Sequence, residues 1–269
     1  MTRVWGEDGA LLAETDGLAE LESRLVAVPD VDVLDAHVHL GRDADGHELA
    51  SEDLLADLER WGLAGAVCFP ASDPGDDGQF ARANAVVREA ADDARLIPFC
   101  RLNPAAPGWE QELATALAAG ARGVKLHPVG QSFRPESPES IAVVRAAGTE
   151  GLPVLFHAGF GARRLAEPFA ALRAAAPDTR LILAHGGRGD ARGLAAVFAE
   201  DDGVLFDTSL ASLTDLVDLP PARICFGSDR PYGDYATAID LVRRAARLAR
   251  WSAAELAGVF AGNLRRWLV

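Results

Sequence analysis

Cysteine is scarce: the 269-residue chain has three, Cys68, Cys100 and Cys225, and no CxxC pair. Thiols so far apart exclude a disulfide framework and a four-cysteine zinc site, and each falls in an apolar run where a buried thiol packs as a small hydrophobe. Long hydrophobic runs are missing too. No segment approaches the roughly 20 apolar residues that span a bilayer, so no membrane partner is expected. The opening Met1-Thr2-Arg3-Val4-Trp5-Gly6-Glu7-Asp8 lacks the basic-then-apolar design of a secretory leader, and a cytoplasmic location is the expectation. Positive charge is in deficit, with 26 Lys and Arg against 40 Asp and Glu and a net charge of −14. Such a surface repels polyanions, which excludes nucleic acid as a partner and leaves a small molecule. Repeats and low-complexity tracts are absent as well, so the chain is not a solenoid.

What the chain does have is apolar residues, 49% of the total, in short runs that alternate with amphipathic stretches. The runs predict strands at about 31–39, 65–70, 95–102, 121–127, 153–158, 180–185, 203–208 and 223–228. Helical periodicity lies between them at 52–61, 80–91, 110–119, 140–147, 163–175, 191–199 and 236–248. Several strands are apolar without alternation, as in parallel sheets buried on both faces. Eight strand-helix units in about 250 residues predict an α/β fold of the (β/α)₈ TIM-barrel type. The competitor is a doubly wound open sheet, which would not bring the first and eighth strands together. Residues 1–30 read as an N-terminal extension with a helix-like piece at 18–26, residues 31–269 as the barrel, and 253–268 as two short closing helices.

Polar residues end these runs. His37-Val38-His39 closes the first, and His157, His185 and Asp229 close the fifth, sixth and eighth. Alternation along a strand puts His37 and His39 on one face. Active sites of such barrels lie at the C-terminal strand ends, where nitrogen and carboxylate ligands can hold a divalent metal and leave room for water. Lys125 and His127 share a face at the end of the fourth strand. Asp35 shares the parity of His37, and Asp207 ends the seventh strand; both are candidate acceptors for a ligand imidazole. Arg101 at the end of the third strand is placed to clamp a carboxylate. Arg188 and Arg230 follow the His185 and Asp229 motifs and are expected at the rim, which together suggests an anionic substrate. His47 lies in a polar loop and is expected to be exposed. The loops at 71–79 and 130–138 are the lid candidates.

Asp35-Ala36-His37-Val38-His39-Leu40-Gly41 resembles the opening motif of the amidohydrolase superfamily. Gly123-Val124-Lys125-Leu126-His127-Pro128, Phe156-His157-Ala158-Gly159, Leu183-Ala184-His185-Gly186-Gly187 and Phe226-Gly227-Ser228-Asp229-Arg230-Pro231 are similar to its later strand ends, and Gly262-Asn263-Leu264-Arg265-Arg266 to its closing helix. The likeness is nearest the amidohydrolase 2 branch of metal-dependent hydrolases and decarboxylases. It implies that His37, His39, His157 and Asp229 bind one divalent metal, most often Zn²⁺. His185 then holds the attacking water or polarises the substrate, and Asp229 takes the water's proton. Two ions are the alternative, with a carboxylated Lys125 bridging and His157 and His185 on the second. With one ion, Lys125, His127 and Arg101 are left to bind substrate. The implied activity is hydrolysis of a lactone, ester or amide bond, with non-oxidative decarboxylation as the alternative. A TatD-type nuclease is disfavoured by Lys125, which replaces that group's acidic residue, and by the net charge; the intact ligand set disfavours a non-catalytic binding protein. The branch also makes a homodimer compatible with the chain.

Overall fold

The computed structural model describes residues 2–5, 11–15, 31–73, 75, 78 and 80–268. Eight parallel strands form the body of a nine-stranded sheet: β1 (Leu34–Arg42), β2 (Gly65–Pro70), β3 (Leu96–Arg101), β4 (Gly123–Leu126), β5 (Val154–Phe156), β6 (Leu181–Leu183), β7 (Val204–Asp207) and β8 (Ile224–Cys225), with the short strand Glu48–Leu49 antiparallel to the end of β1. Each pairs in parallel with the next. Closure comes from the segment after β8. Ala36 N donates to Phe226 O at 2.8 Å, Asp229 N to His37 O at 2.9 Å and His39 N to Arg230 O at 2.8 Å, with a parallel bridge between Val38 and Arg230. The sheet is therefore the expected barrel, and the open-sheet alternative is excluded.

Both faces of the short strands are apolar for a reason visible residue by residue. Val154 and Phe156 point outward to the helices while Leu155 points into the barrel; Leu181, Leu183 and Ile182 divide the same way. The inner cluster gathers Leu34, Val67, Phe99, Leu155, Ile182 and Leu205 on Ala261, Leu264 and Trp267. These last three belong to the closing segment, which runs from a helix at Ala253–Ala257 through a wide turn to Asn263–Arg265 and plugs one end of the barrel. All three cysteines are buried.

Helices α1 (Ser51–Trp61), α2 (Ala81–Ala90), α3 (Trp109–Ala118), α4 (Pro138–Thr149), α5 (Ala166–Ala175), α6 (Ala191–Phe198), α7 (Leu213–Val217) and α8 (Tyr235–Ala249) cover the outer face. Helix α1 shows why: Leu54, Leu58 and Trp61 recur at helical spacing and are buried. Helix α7 is an addition to the sequence reading. It has five residues, too few for a period, and is started by Ser212, whose side chain accepts from Asp215 N. Thr2–Trp5 and Leu11–Thr15 form an antiparallel ribbon, and the helix expected at 18–26 lies outside the described residues. Among the described residues no helix is long and apolar enough to cross a membrane.

Strand β1 carries one irregularity that reorders the site. Its pairing with β2 shifts between Asp35 and Val38, so the alternation assumed across Asp35 and His37 does not hold. The Asp35 carboxylate instead accepts from the backbone N–H of His37 at 2.9 Å and of Ser228 at 3.0 Å. It ties β1 to the segment after β8 and is not an acceptor for an imidazole. Burial raises its pKa to about 7, against the pull of those hydrogen bonds.

Candidate metal centre

The strand-end residues converge at one mouth of the barrel. His37, Lys125, His185, Asp207 and Asp229 are all less than 5% exposed, and His39 and His157 are 8% exposed. His37 Nε2 and His39 Nε2 each lie 3.1 Å from Asp229 Oδ1. Lys125 Nζ is 3.3 Å from His37 Nε2 and 4.4 Å from the centre of the Phe69 ring. His157 Nδ1 and His185 Nε2 are 3.1 Å apart. Ligand atoms of His37, His185 and Asp229 fall within 4.8 Å of one another. Two of the converging residues, His185 (φ 61°) and Asp229 (φ 63°), have left-handed backbones, a conformation that costs about 1–3 kcal/mol and is held only where the surroundings demand it. Gly159 is part of that demand, since a Cβ there would come within 2.6 Å of the His185 ring.

The outward-facing ring nitrogens assign the tautomers. His37 Nδ1 is 2.8 Å from Asp207 Oδ2, His185 Nδ1 is 2.9 Å from Ser209 O, and His157 Nε2 is 2.9 Å from Phe160 O. Carbonyls and carboxylates only accept, so those three nitrogens carry the protons and His37 Nε2, His185 Nε2 and His157 Nδ1 carry lone pairs. His157 and His185 therefore face each other with lone pairs 3.1 Å apart, and His37 faces a carboxylate oxygen in the same way. Lys125 Nζ offers a donor to His37; a cation set among the remaining lone pairs relieves the other contacts. A proton is a poor candidate: burial, then the charge of Lys125, takes His157 to about 4, and burial, then His37, takes His185 to about 3. His37 and His39 are also lowered, by the same desolvation and by Lys125. Neutral imidazoles with a carboxylate are the donor set of a divalent metal of the zinc or manganese kind. The residues fit the group.

Lys125 is also desolvated, which lowers it to about 7 against the opposing pull of Asp207 and Asp229. Arg101 is 2% exposed, with its guanidinium over the Phe80 ring at 4.5 Å. It donates to Pro70 O at 3.2 Å and Ser72 Oγ at 2.9 Å. Arg101 is not among the residues that line the cavity described below; Ser72, which its guanidinium holds, is. Arg188 is exposed at the rim, where its guanidinium stacks on Phe160 at 4.7 Å and donates to Leu210 O at 2.8 Å. Arg230 departs from expectation: its fork turns outward to Asp57 on α1, with Nε 3.0 Å from the carboxylate. His47 is exposed, as anticipated.

A cavity of about 380 Å³ opens onto these residues, lined by His39, His127, His157, His185, Asp229 and Tyr232 among others. A larger one of about 540 Å³ lies beside it and shares only His157 with the centre. Tyr232, Ser209 and Phe160 were not singled out in the sequence. Tyr232 hydrogen-bonds Asp43 and stands edge-on to His39; its position three residues after Asp229 was the available signal. Of the lid candidates, the 130–138 loop is fastened: Gln131 Oε1 accepts from His127 N at 2.7 Å, its amide donates to Leu102 O at 2.6 Å, and Ser137 caps α4. Residues 74, 76, 77 and 79 of the other lie outside the described residues.

A family model described as amidohydrolase matches residues 34–268. A search of curated proteins finds no match. Among solved structures, the apo IDCase of Metarhizium anisopliae superposes with a TM-score of 0.70 at 16% identity, covering 89% of this chain and 97% of that one. A zinc-bound amidohydrolase from Burkholderia multivorans gives 0.69 at 18% identity, with 88% and 99% covered. A dihydroxybenzoic acid decarboxylase from a Polaromonas species, with manganese and 2-nitroresorcinol, gives 0.66 at 13%, with 88% and 97% covered. At these identities the superpositions speak to the fold.

Proposed function

This chain belongs to the amidohydrolase family, and on that premise we propose that it is a metal-dependent hydrolase of a lactone, ester or amide bond in a small carboxylated substrate. One observation carries the reading: neutral imidazole lone pairs and the Asp229 carboxylate face one another at 3.1 Å beside an open cavity. His37, His39, His157 and Asp229 would hold one ion, taken as zinc. When bound, such an ion makes hydroxide available near neutral pH.

The chain's own residues supply the rest. Asp229 accepts the water's proton through its carboxylate and returns it to the leaving oxygen or nitrogen. His185, with Nδ1–H committed to Ser209 O, offers its Nε2 lone pair to orient the water. Asp207 holds the His37 tautomer at 2.8 Å. Lys125, as an ammonium beside His37, supplies the positive end for a substrate carboxylate, with Arg101 acting through Ser72. A bridging, carboxylated Lys125 with His157 and His185 on a second ion is the two-metal variant.

Decarboxylation is the competing chemistry, and the likeness to the Polaromonas decarboxylase supports it. There Asp229 would deliver the proton that replaces carbon dioxide. The test is a panel of lactones and carboxylated aromatics incubated with zinc-loaded protein. Ring-opened acids identify the hydrolase and released carbon dioxide the decarboxylase. Inertness of zinc-loaded protein toward both classes contradicts the proposal.

A further inference from the structure

Among the cavity histidines, His127 is set the opposite way to its neighbours. His157 and His185 each give a ring N–H to a carbonyl oxygen and turn a lone pair inward. His127 Nδ1 instead lies 3.0 Å from the backbone N of Gly130. An amide N–H only donates, so Nδ1 is the acceptor and the proton sits on Nε2. That nitrogen has no hydrogen-bond partner among the described residues, it is not one of the sealed-off polar atoms, and the ring lines the 380 Å³ cavity.

The placement is rigid. Gln131 bridges His127 N and Leu102 O, tying the β4 loop to the end of β3. Gly130 passes close over the ring: a Cβ there would stand 3.3 Å from Nδ1, so a side chain would push away the N–H that sets the tautomer. On its other side the ring stacks on His157, with centres 3.9 Å apart and planes 9° from parallel. A donor fixed one ring thickness from a metal-facing histidine has a defined direction and, among the described residues, no acceptor for its proton.

We propose that His127 is a positioning residue whose Nε2–H donates to a carboxylate oxygen of the bound substrate and so fixes it beside the metal-facing His157. This rests on the cavity being the substrate site. It adds a division of labour: the lone pair of His157 turns to the cation, that of His185 to the water, and the N–H of His127 turns to the anion. A carboxylate next to an imidazole donor makes a charge-assisted hydrogen bond, the strong kind.

The test uses zinc-loaded protein and benzoate as the carboxylate probe. His127→Phe keeps a flat ring for the stack on His157 and removes both nitrogens; His127→Gln restores an N–H donor without the ring. Benzoate is expected to bind about tenfold more weakly to His127→Phe and within about threefold of wild type to His127→Gln, with zinc content unchanged in both. Nitrogen-15 spectra of the wild-type histidines should show His127 protonated at Nε2. Equal benzoate affinity in wild type and His127→Phe, no benzoate binding by zinc-loaded wild type, or a proton on Nδ1 each overturns the proposal. Wild-type protein that fails to take up zinc contradicts the metal centre instead, and the tautomer spectrum still reads out His127 independently.

Discussion

The two ends of this barrel are made by the same eight strands and share almost no chemistry. At one end Leu34, Val67, Phe99, Leu155, Ile182 and Leu205 close over Leu264 and Trp267 in an all-apolar plug. At the other, the inward positions become His37, His39, Lys125, Asp207 and, just past the strands, His157, His185 and Asp229, all buried. The first end gains stability from every buried group, at about 25 cal/mol per Å² of apolar surface removed from water. The second desolvates six or more ionisable groups and bends two backbones into the left-handed region, costs that folding alone does not repay. A structure tolerates that only when the far end is secure. The division of labour predicts that lesions at the two ends have separable consequences.

Asp229→Asn should sharpen the contrast most. Losing the proton acceptor is expected to lower kcat by about 10²–10⁴-fold on whichever substrate the panel identifies, while chemical denaturation stays close to wild type. At the opposite end, Leu264→Ala removes a side chain that is 1% exposed and should cost about 2–5 kcal/mol in denaturant unfolding, with zinc content unchanged. A loss of zinc affinity in Leu264→Ala equal to the loss of stability would break the comparison. Asp207→Asn comes last: without a carboxylate for His37 Nδ1–H, zinc affinity should fall by about 10–100-fold in competition with a chelator.

Much of this was readable beforehand, for a physical reason. Buried parallel strands must be apolar on both faces, so runs such as Leu181–Leu183 announce themselves, and all eight expected strands are present. Six of them are shorter than anticipated, β2 matches, and β1 lies three residues further along. The run at 223–228 yields only Ile224–Cys225, because from Phe226 onward the chain leaves its β7 ladder and bonds β1 instead. The converging His37, His39, Lys125, His127, His157, His185 and Asp229 were likewise visible, since ligating residue types at apolar strand ends have few other reasons to be there.

What alternation could not supply was anything set by a distant partner. The register shift in β1 moved Asp35 to the backbone of Ser228. The Asp57 carboxylate on α1 drew Arg230 outward, and Ser72 occupies part of the Arg101 fork. The His127 tautomer depends on a single backbone N–H three residues on, delivered by the fold of a loop. Local periodicity carries no information about such contacts.

Metal content is the most direct test of the polar end. Wild-type protein reconstituted with zinc and freed of excess should hold about one equivalent by elemental analysis, and His37→Ala, compared at equal fold content, should hold none. Wild-type protein that stays metal-free after reconstitution, or His37→Ala that keeps its full equivalent, would contradict the metal centre.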